Sequence, residues 1–420
     1  MGLNKTLLAQ IIGAMGGFSP KTIIMFGSST TARSFDATGL TDITGMLADY
    51  GITGVEMLTS SLSGSNVQYH KDTLMPAAIA SYSAKPKVLC VVQLAVNSVT
   101  TIGDYATADA GSIATYTSNQ NNVFDQAVAA GWRVGAVNFN DSANSASMHI
   151  GDWNTYVGHP IIASKAPAWI SGNTAVIDYY GLSIKGGVPW MFSSSDGTHL
   201  KEISGDRLWR AYTASRIAKN QFGYPAKNLS GRRFVVAWGS TDSASWQRVG
   251  YVNRLAASSG PTTTTPMKSF CGHILDADTG EVLPGLYVAL VGGQGVNTQG
   301  RGNAGNNSNS YLNNTACAGS IYHDTTYAST GFYLEIGSFD GAVPNASSVK
   351  VSASRNVTGT DRFATWTCNG QSLDLDATAI PAGLVTFNSV PATGGIISAT
   401  AAIKAGSTLS YFSAVEVVFA

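Results

Sequence analysis

Thr22-Ile23-Ile24-Met25-Phe26-Gly27-Ser28-Ser29-Thr30-Thr31 decides how the first half of the chain is read. The continuous run Thr22–Phe26 suits a strand buried on both faces, because a half-exposed strand alternates apolar and polar side chains. Gly27 lets the chain turn sharply at the end of that run, and the hydroxyl-rich segment after it can open a helix. Similar runs follow at Val55–Leu58, Val88–Leu94 and Val134–Phe139, with a short one at Val188–Phe192. Helical patterns lie between them. Leu40, Ile43, Met46 and Leu47 share one helix face, and Val123/Ala127 and Phe124/Val128 are four apart within Asn122–Ala130. Asp206–Ala218 gathers Leu208, Ala211, Tyr212 and Ser215 on one side. This alternation predicts a parallel sheet with helices on both sides over residues 20–225. Ligands in such sheets bind beyond the carboxyl ends of the strands, so functional residues are expected just after the runs.

The rest of the chain reads differently. Phe234–Gly239 and Trp246–Val252 flank a Ser/Thr/Asp turn and predict a β-hairpin within a 226–257 extension. Ser258-Ser259-Gly260-Pro261-Thr262-Thr263-Thr264-Thr265-Pro266 reads as an interdomain linker. Beyond it, His273–Ala277, Leu286–Val291, Gly331–Ile336 and Val349–Ser354 are short runs bounded by Gly, Asp, Pro and Asn. They predict an antiparallel β-sandwich over 267–420. Residues 296–315 hold seven Asn and a single charge, Arg301, and read as a long surface or ligand-facing loop. At the start, Met1–Phe18 resembles a weak signal peptide, but Gln10 interrupts its apolar stretch; a short helix packing on the next domain is the preferred reading.

Composition limits the function. The chain has 420 residues, 44% hydrophobic, which suffices for two or three cored domains. Lys+Arg and Asp+Glu are 25 each, and only 12% of residues are charged. A neutral surface argues against a nucleic-acid binder, which needs basic groups to displace counterions. No polybasic patch and no run of about 18 apolar residues is present, so membrane insertion is not expected. Cys90, Cys271, Cys317 and Cys368 lack CxxC spacing and predict no zinc site, though one disulfide is open. There is no HExxH and no close His pairing, so neither metal nor cofactor is expected.

Four segments of the first region carry candidate chemistry. Gly27-Ser28-Ser29 follows the first run, Ser61-Leu62-Ser63-Gly64-Ser65 the second, and Ala95-Val96-Asn97-Ser98 the third. The fourth, Ser195-Asp196-Gly197-Thr198-His199-Leu200, spaces Asp and His three apart before a helix, so that a carboxylate can hold an imidazole tautomer. Taken singly, each reads as an ordinary turn or cap. In this order and at these strand ends, they resemble the four blocks of the SGNH (GDSL-like) hydrolases, over about half the chain. The resemblance implies a three-layer, flavodoxin-like α/β fold. It implies Ser29 as nucleophile, His199 as general base and Asp196 as its partner. It implies an oxyanion hole from the N–H groups of Ser29 and Gly64 and the Asn97 amide. Flanking residues depart from the family: Ser28 replaces the block-one Asp, Ser61 a Gly, and Ala95 and Ser98 the Gly and Asp of block three. Asn138-Phe139-Asn140-Asp141 is a competing third block, but it follows the next strand, one unit too late.

The distal region is similar, around Gly272–Leu290, to the first hairpin of carboxypeptidase regulatory-like, transthyretin-type sandwiches. That implies adhesion or mounting, with Tyr311, Tyr322 and Tyr327 as candidate sugar-stacking rings. The pairing of domains resembles bacteriophage tail esterases and secreted carbohydrate esterases. The expectation is a serine esterase removing O-acyl groups from an acylated bacterial polysaccharide, on a virion tail or outside the cell. Other tail proteins and further copies of the chain are candidate partners. A structural or receptor-binding tail protein with a vestigial hydrolase domain, or a lipid esterase, is the alternative.

Overall fold

The computed structural model describes residues 18–139, 149–169, 176–177, 204–238, 252–257, 268–292, 295–297, 320–324, 331–353, 362–379 and 383–420. The N-terminal segment before Phe18, the Val188–Phe192 run and the 258–266 linker lie outside them. The chain forms two compact units. One comprises Met1–Lys201 and Trp209–Ala226, the other Glu202–Leu208 and Lys227–Ala420.

Among the described residues the first unit holds five parallel strands: β1 (Thr22–Gly27), β2 (Glu56–Ser61), β3 (Val88–Gln93), β4 (Arg133–Val137) and β5 (Val176–Ile177). Their order is β2-β1-β3-β4-β5, with every pair parallel. This is the flavodoxin-like order expected from the block resemblance. All six residues of β1 and of β3 are buried, as their unbroken apolar sequence predicts. Of the fifth strand two residues are described, Val176 and Ile177.

The helices are α1 (Ser29–Ser34), α2 (Ala37–Asp49), α3 (Val67–Tyr69), α4 (Met75–Tyr82), α5 (Val96–Ile102), α6 (Ala110–Ala129), α7 (Ile150–Trp153), α8 (His159–Trp169) and α9 (Ser204–Phe222). A π-helical turn, His70–Leu74, joins α3 to α4. Asp36 caps α2 by accepting from Gly39 N at 2.8 Å. The buried face of α2 is Gly39, Ile43, Met46 and Leu47, three of which the sequence pattern had marked. Gly39 allows α2 to pass close to α1, since a Cβ there would lie 2.1 Å from Ser34 O. Arg210 of α9 clamps the same junction. Its Nε bonds Asp42 at 2.9 Å and its Nη1 bonds Ser34 O at 2.8 Å. The short α1 is thereby tied at its carboxyl end, while its amino end follows the carboxyl end of β1.

The second unit has fourteen described strands. They are β6 (Arg233–Trp238), β7 (Val252–Ala257), β8 (Lys268–Leu275), β9 (Val282–Val291), β10 (Gly295–Asn297), β11 (Ser320–Asp324), β12 (Phe332–Ser338), β13 (Ala346–Ala353), β14 (Phe363–Cys368), β15 (Gln371–Asp376), β16 (Gly383–Val390), β17 (Ile397–Ile403), β18 (Leu409–Phe412) and β19 (Ala414–Phe419). Eleven form one sheet, ordered β15-β14-β17-β12-β9-β8-β7-β6-β19-β13-β16, and β10-β11-β18 form a smaller one. The two ends of the long sheet, β15 and β16, lie against each other, so the sheet wraps around one apolar core. Trp366 and Phe332 stack inside it, 6.1 Å apart and nearly coplanar at 3°. Alternating burial along β14 and β17 marks strands with one face in the core and one outside.

Of the expected hairpin, Phe234–Trp238 falls in β6, while Gly239, the turn and all of the second arm, Trp246–Val252, except Val252 lie outside the described residues. Val252 opens β7, which pairs with β6 in parallel, Val235 opposite Val252, and both strands belong to the long sheet. Asn253 fixes β7 in place. Its amide donates to Val235 O and Leu275 O at 3.0 and 3.1 Å and accepts from Leu275 N at 2.8 Å. Cys90, Cys271 and Cys368 are buried thiols, not half-cystines. No helix among the described residues is long and apolar enough to cross a membrane.

Candidate active site

In a β2-β1-β3-β4-β5 sheet the order reverses between β1 and β3, and the crevice opens at their carboxyl ends. Ser29 follows β1 and Asn97 follows β3, one on each side of that point. Gly64 follows β2, next to β1 on the other side.

The first loop is tight. Gly27 is required because a Cβ there would lie 2.3 Å from Thr31 Oγ1 and 3.0 Å from the Gln93 side chain. In that space Thr31 Oγ1 donates to Gln93 Oε1 at 2.7 Å, linking α1 to β3. Ser29 is the first residue of α1 and is 8% exposed, at the edge of the crevice. Its N–H is one of the first-turn donors that a helix leaves without an intrahelical acceptor. The flanking Ser28 Oγ and Thr30 Oγ1 are buried and have no protein hydrogen-bond partner.

The second loop leaves alongside the first. Leu62 N donates to Gly27 O at 3.2 Å. Ser65 then closes a turn onto Leu62 O through both its N–H, at 3.2 Å, and its hydroxyl, at 2.6 Å. Gly64 in that turn has φ +77°, a conformation that side chains resist, although a Cβ there would meet nothing within 4 Å. Glycine is therefore needed for backbone direction, not for room.

The third loop is stitched to the second. Asn97 Nδ2 donates to Ser65 O at 3.0 Å, and Ser98 Oγ accepts from Val67 N at 2.7 Å. The first bond uses one N–H of the Asn97 amide and orients the group; an amide nitrogen carries a second. Three of the four blocks therefore adjoin through named hydrogen bonds. Asp196 and His199 of the fourth lie outside the described residues. Asn138 follows β4, is fully buried, and has Nδ2 3.3 Å from His159 Nε2. Asn140 and Asp141 lie outside the described residues.

Sequence reasoning missed His70. It is fully buried in the π-helical turn, with Nε2 2.8 Å from Ser65 Oγ and its ring edge-on to Phe26. Burial lowers its pKa to about 4, so the ring is neutral near pH 7. A helical pattern gives no warning of a residue displaced by a wide turn. Among the described residues no group of three or more His, Cys, Asp or Glu could hold a metal ion.

No family model matches the chain, and no curated protein matches its sequence. Its N-terminal half is similar in structure to several solved hydrolases. TesA shares 20% identity over 47% of this chain and 97% of its own, with a TM-score of 0.36. An acetyl xylan esterase, AlAXEase, shares 19% over 47% of this chain and 99% of its own, with a TM-score of 0.35. A member of the lipolytic G-D-S-L family from Veillonella parvula shares 15% over 47% and 96%, with a TM-score of 0.34. The first unit has the parallel α/β architecture that the SGNH resemblance implies.

Proposed function

We propose that the first unit is a serine esterase that removes acyl groups, acetyl above all, from a bacterial surface polysaccharide. The observation that carries this reading is the pairing of Ser29 and Asn97 across the switch point, with the Asn97 amide oriented by Ser65 O. A hydroxyl and an amide donor at that position suit attack on a carbonyl and stabilisation of the resulting oxyanion.

In the proposed reaction Ser29 Oγ bonds to the ester carbonyl carbon as its proton passes to the His199 imidazole. Asp196 holds that ring and stabilises its charged form. The N–H groups of Ser29 and Gly64 and the free N–H of Asn97 receive the oxyanion. Collapse breaks the bond to the alcohol oxygen, which takes the proton from His199. Water then attacks the acyl-enzyme by the same route, releasing the carboxylate and restoring Ser29. The roles of His199 and Asp196 rest on the block resemblance. The neutral, Asn- and Gly-rich composition is consistent with an extracellular or tail-associated protein whose second unit mounts it near a glycan or other tail proteins.

The test is acetate release from acetylated bacterial polysaccharides, with para-nitrophenyl acetate as a general ester. The full chain should release acetate and the Ser29→Ala chain should not. A chain that cleaves neither ester would instead be a structural or receptor-binding protein on a hydrolase scaffold. Preference for long-chain esters would point to lipid.

A further inference from the structure

His70 has no part in the proposed chemistry, yet it is buried directly beneath the loop that carries Gly64. The hydroxyl of Ser65 has one proton and two acceptors in reach, Leu62 O at 2.6 Å and His70 Nε2 at 2.8 Å. If the proton went to the ring, Nδ1 would carry the imidazole hydrogen. Nδ1 is buried and has no hydrogen-bond partner in the protein, so that N–H would be orphaned. If the proton goes to Leu62 O, the ring carries its hydrogen on Nε2 and donates to Ser65 Oγ. Only an acceptor lone pair is then left unmatched, and the shorter of the two contacts keeps its donor. The second arrangement is the less costly one.

The backbone supports the same conclusion. His70–Leu74 is a π-helical turn, a wide and uncommon conformation that inserts a residue into a helix and recurs at functional sites. Here it sits between α3 and α4 and carries the His70 ring that reaches Ser65. Ser65 is also the residue whose carbonyl holds Asn97. One turn thus governs two of the three donors assigned to the oxyanion.

We propose that His70 is a positioning residue: with its proton on Nε2 it donates to Ser65 Oγ, which donates to Leu62 O, and this relay fixes the Gly64 N–H and the Asn97 amide for catalysis. The catalytic half of this inference rests on the esterase reading; the relay itself does not.

Two measurements on the full chain separate these halves. Nitrogen-15 NMR of the imidazoles at pH 7 should show His70 neutral with hydrogen on Nε2. An Nδ1–H tautomer or an imidazolium would overturn the relay, whatever the activity. In kinetics, Ser65→Ala and His70→Met should each lower kcat by about 10- to 100-fold with KM within about threefold, because donors are misdirected and not removed. His70→Gln, which keeps a donor at the end of the side chain, should return kcat to within about threefold of the original. Ser65→Ala leaves the buried ring in place, so it tests the relay even if His70→Met fails to fold. Unchanged kcat in Ser65→Ala, in a chain that Ser29→Ala inactivates, overturns the positioning role while leaving the esterase reading intact. Full activity in Ser29→Ala overturns the esterase reading and with it the catalytic half of the inference.

Discussion

The two sheets bury their polar groups in different ways. In the first unit many of these groups lie at the carboxyl edge: Ser28, Ser29, Thr30 and Thr31 after β1, Ser65 and His70 after β2, Gln93 at the end of β3, and Ser98 just beyond it. In the second unit two buried carboxylates lie within strands and accept hydrogen bonds there. Glu335 of β12 accepts from the hydroxyls of Tyr287 and Tyr333 at 2.7 and 2.8 Å, and Glu416 of β19 accepts from Lys350 at 2.7 Å. Burial of Tyr287 and Tyr333, reinforced by the neighbouring carboxylate, pushes both phenols far up, so they remain donors at any ordinary pH. A matched polar group inside a strand knits a scaffold. Polar groups crowded at the carboxyl edge of a parallel sheet lie where ligands of such folds are received.

The sharpest test of that contrast is Ser29→Ala. Removing the nucleophile of a serine hydrolase lowers kcat by about 10⁴- to 10⁶-fold, whereas loss of one edge hydroxyl should leave the thermal midpoint almost unchanged. Ester turnover and a melt of the same preparation decide it. Turnover equal to the unmodified chain would remove the distinction between the two edges.

The opposite experiment is Trp366→Ala. Trp366 is fully buried against Phe332 and Phe412 in the second unit. Truncation should destabilise that unit by about 3–5 kcal/mol, through lost transfer energy and a cavity. Below the melting transition ester turnover should persist. Loss of turnover without unfolding would mean that the second unit contributes to the site.

What the sequence revealed divides along the same line. β1 and β3 were legible because burial on both faces leaves an unbroken apolar run, as in Ile23–Phe26 and Val88–Val92. Ser29, Gly64 and Asn97 could be placed beyond the ends of β1, β2 and β3 because those strand ends were visible as apolar runs. β5, described at Val176 and Ile177, was not among the runs read from the sequence. β6 was found in Phe234–Gly239, but β7 was missed, since Asn253 and Arg254 break its apolar pattern and only Val252 falls in the run that was read. His70 was missed for a related reason: its role depends on a π-helical turn and on Ser65, neither of which has a pattern in the sequence.

Asn97→Ala is a smaller perturbation than Ser29→Ala. Loss of one oxyanion donor lowers kcat by about 10²- to 10³-fold, roughly 3–4 kcal/mol in the transition state. It also removes the bond to Ser65 O, so KM should move little while kcat falls. An effect on KM alone would assign Asn97 to substrate binding rather than to the oxyanion.

His70 distinguishes the units by pH. The folded ring has a pKa of about 4, while in the unfolded chain it titrates near its ordinary 6.5. Between those values the unfolded state binds more protons, so stability falls as pH drops from about 6.5 towards 4 and levels off below. The shift corresponds to about 3 kcal/mol at most. His70→Gln should flatten this part of the profile, as read from denaturant midpoints at pH 7 and 4.5 for both chains. Equal pH dependence in the two would mean that the ring is not buried neutral.

The mildest change is Asp36→Ala. Asp36 is exposed and accepts from Gly39 N, so water can take over the freed N–H and the cost should be about 1 kcal/mol. Ser29 should keep its place, because α1 and α2 are held together by the close approach at Gly39 and by Arg210, and neither depends on the cap. A thermal midpoint lowered by a few degrees with unaltered kcat is therefore expected. A fall in kcat would show that the start of α2, and not only the clamp behind it, sets the position of the nucleophile.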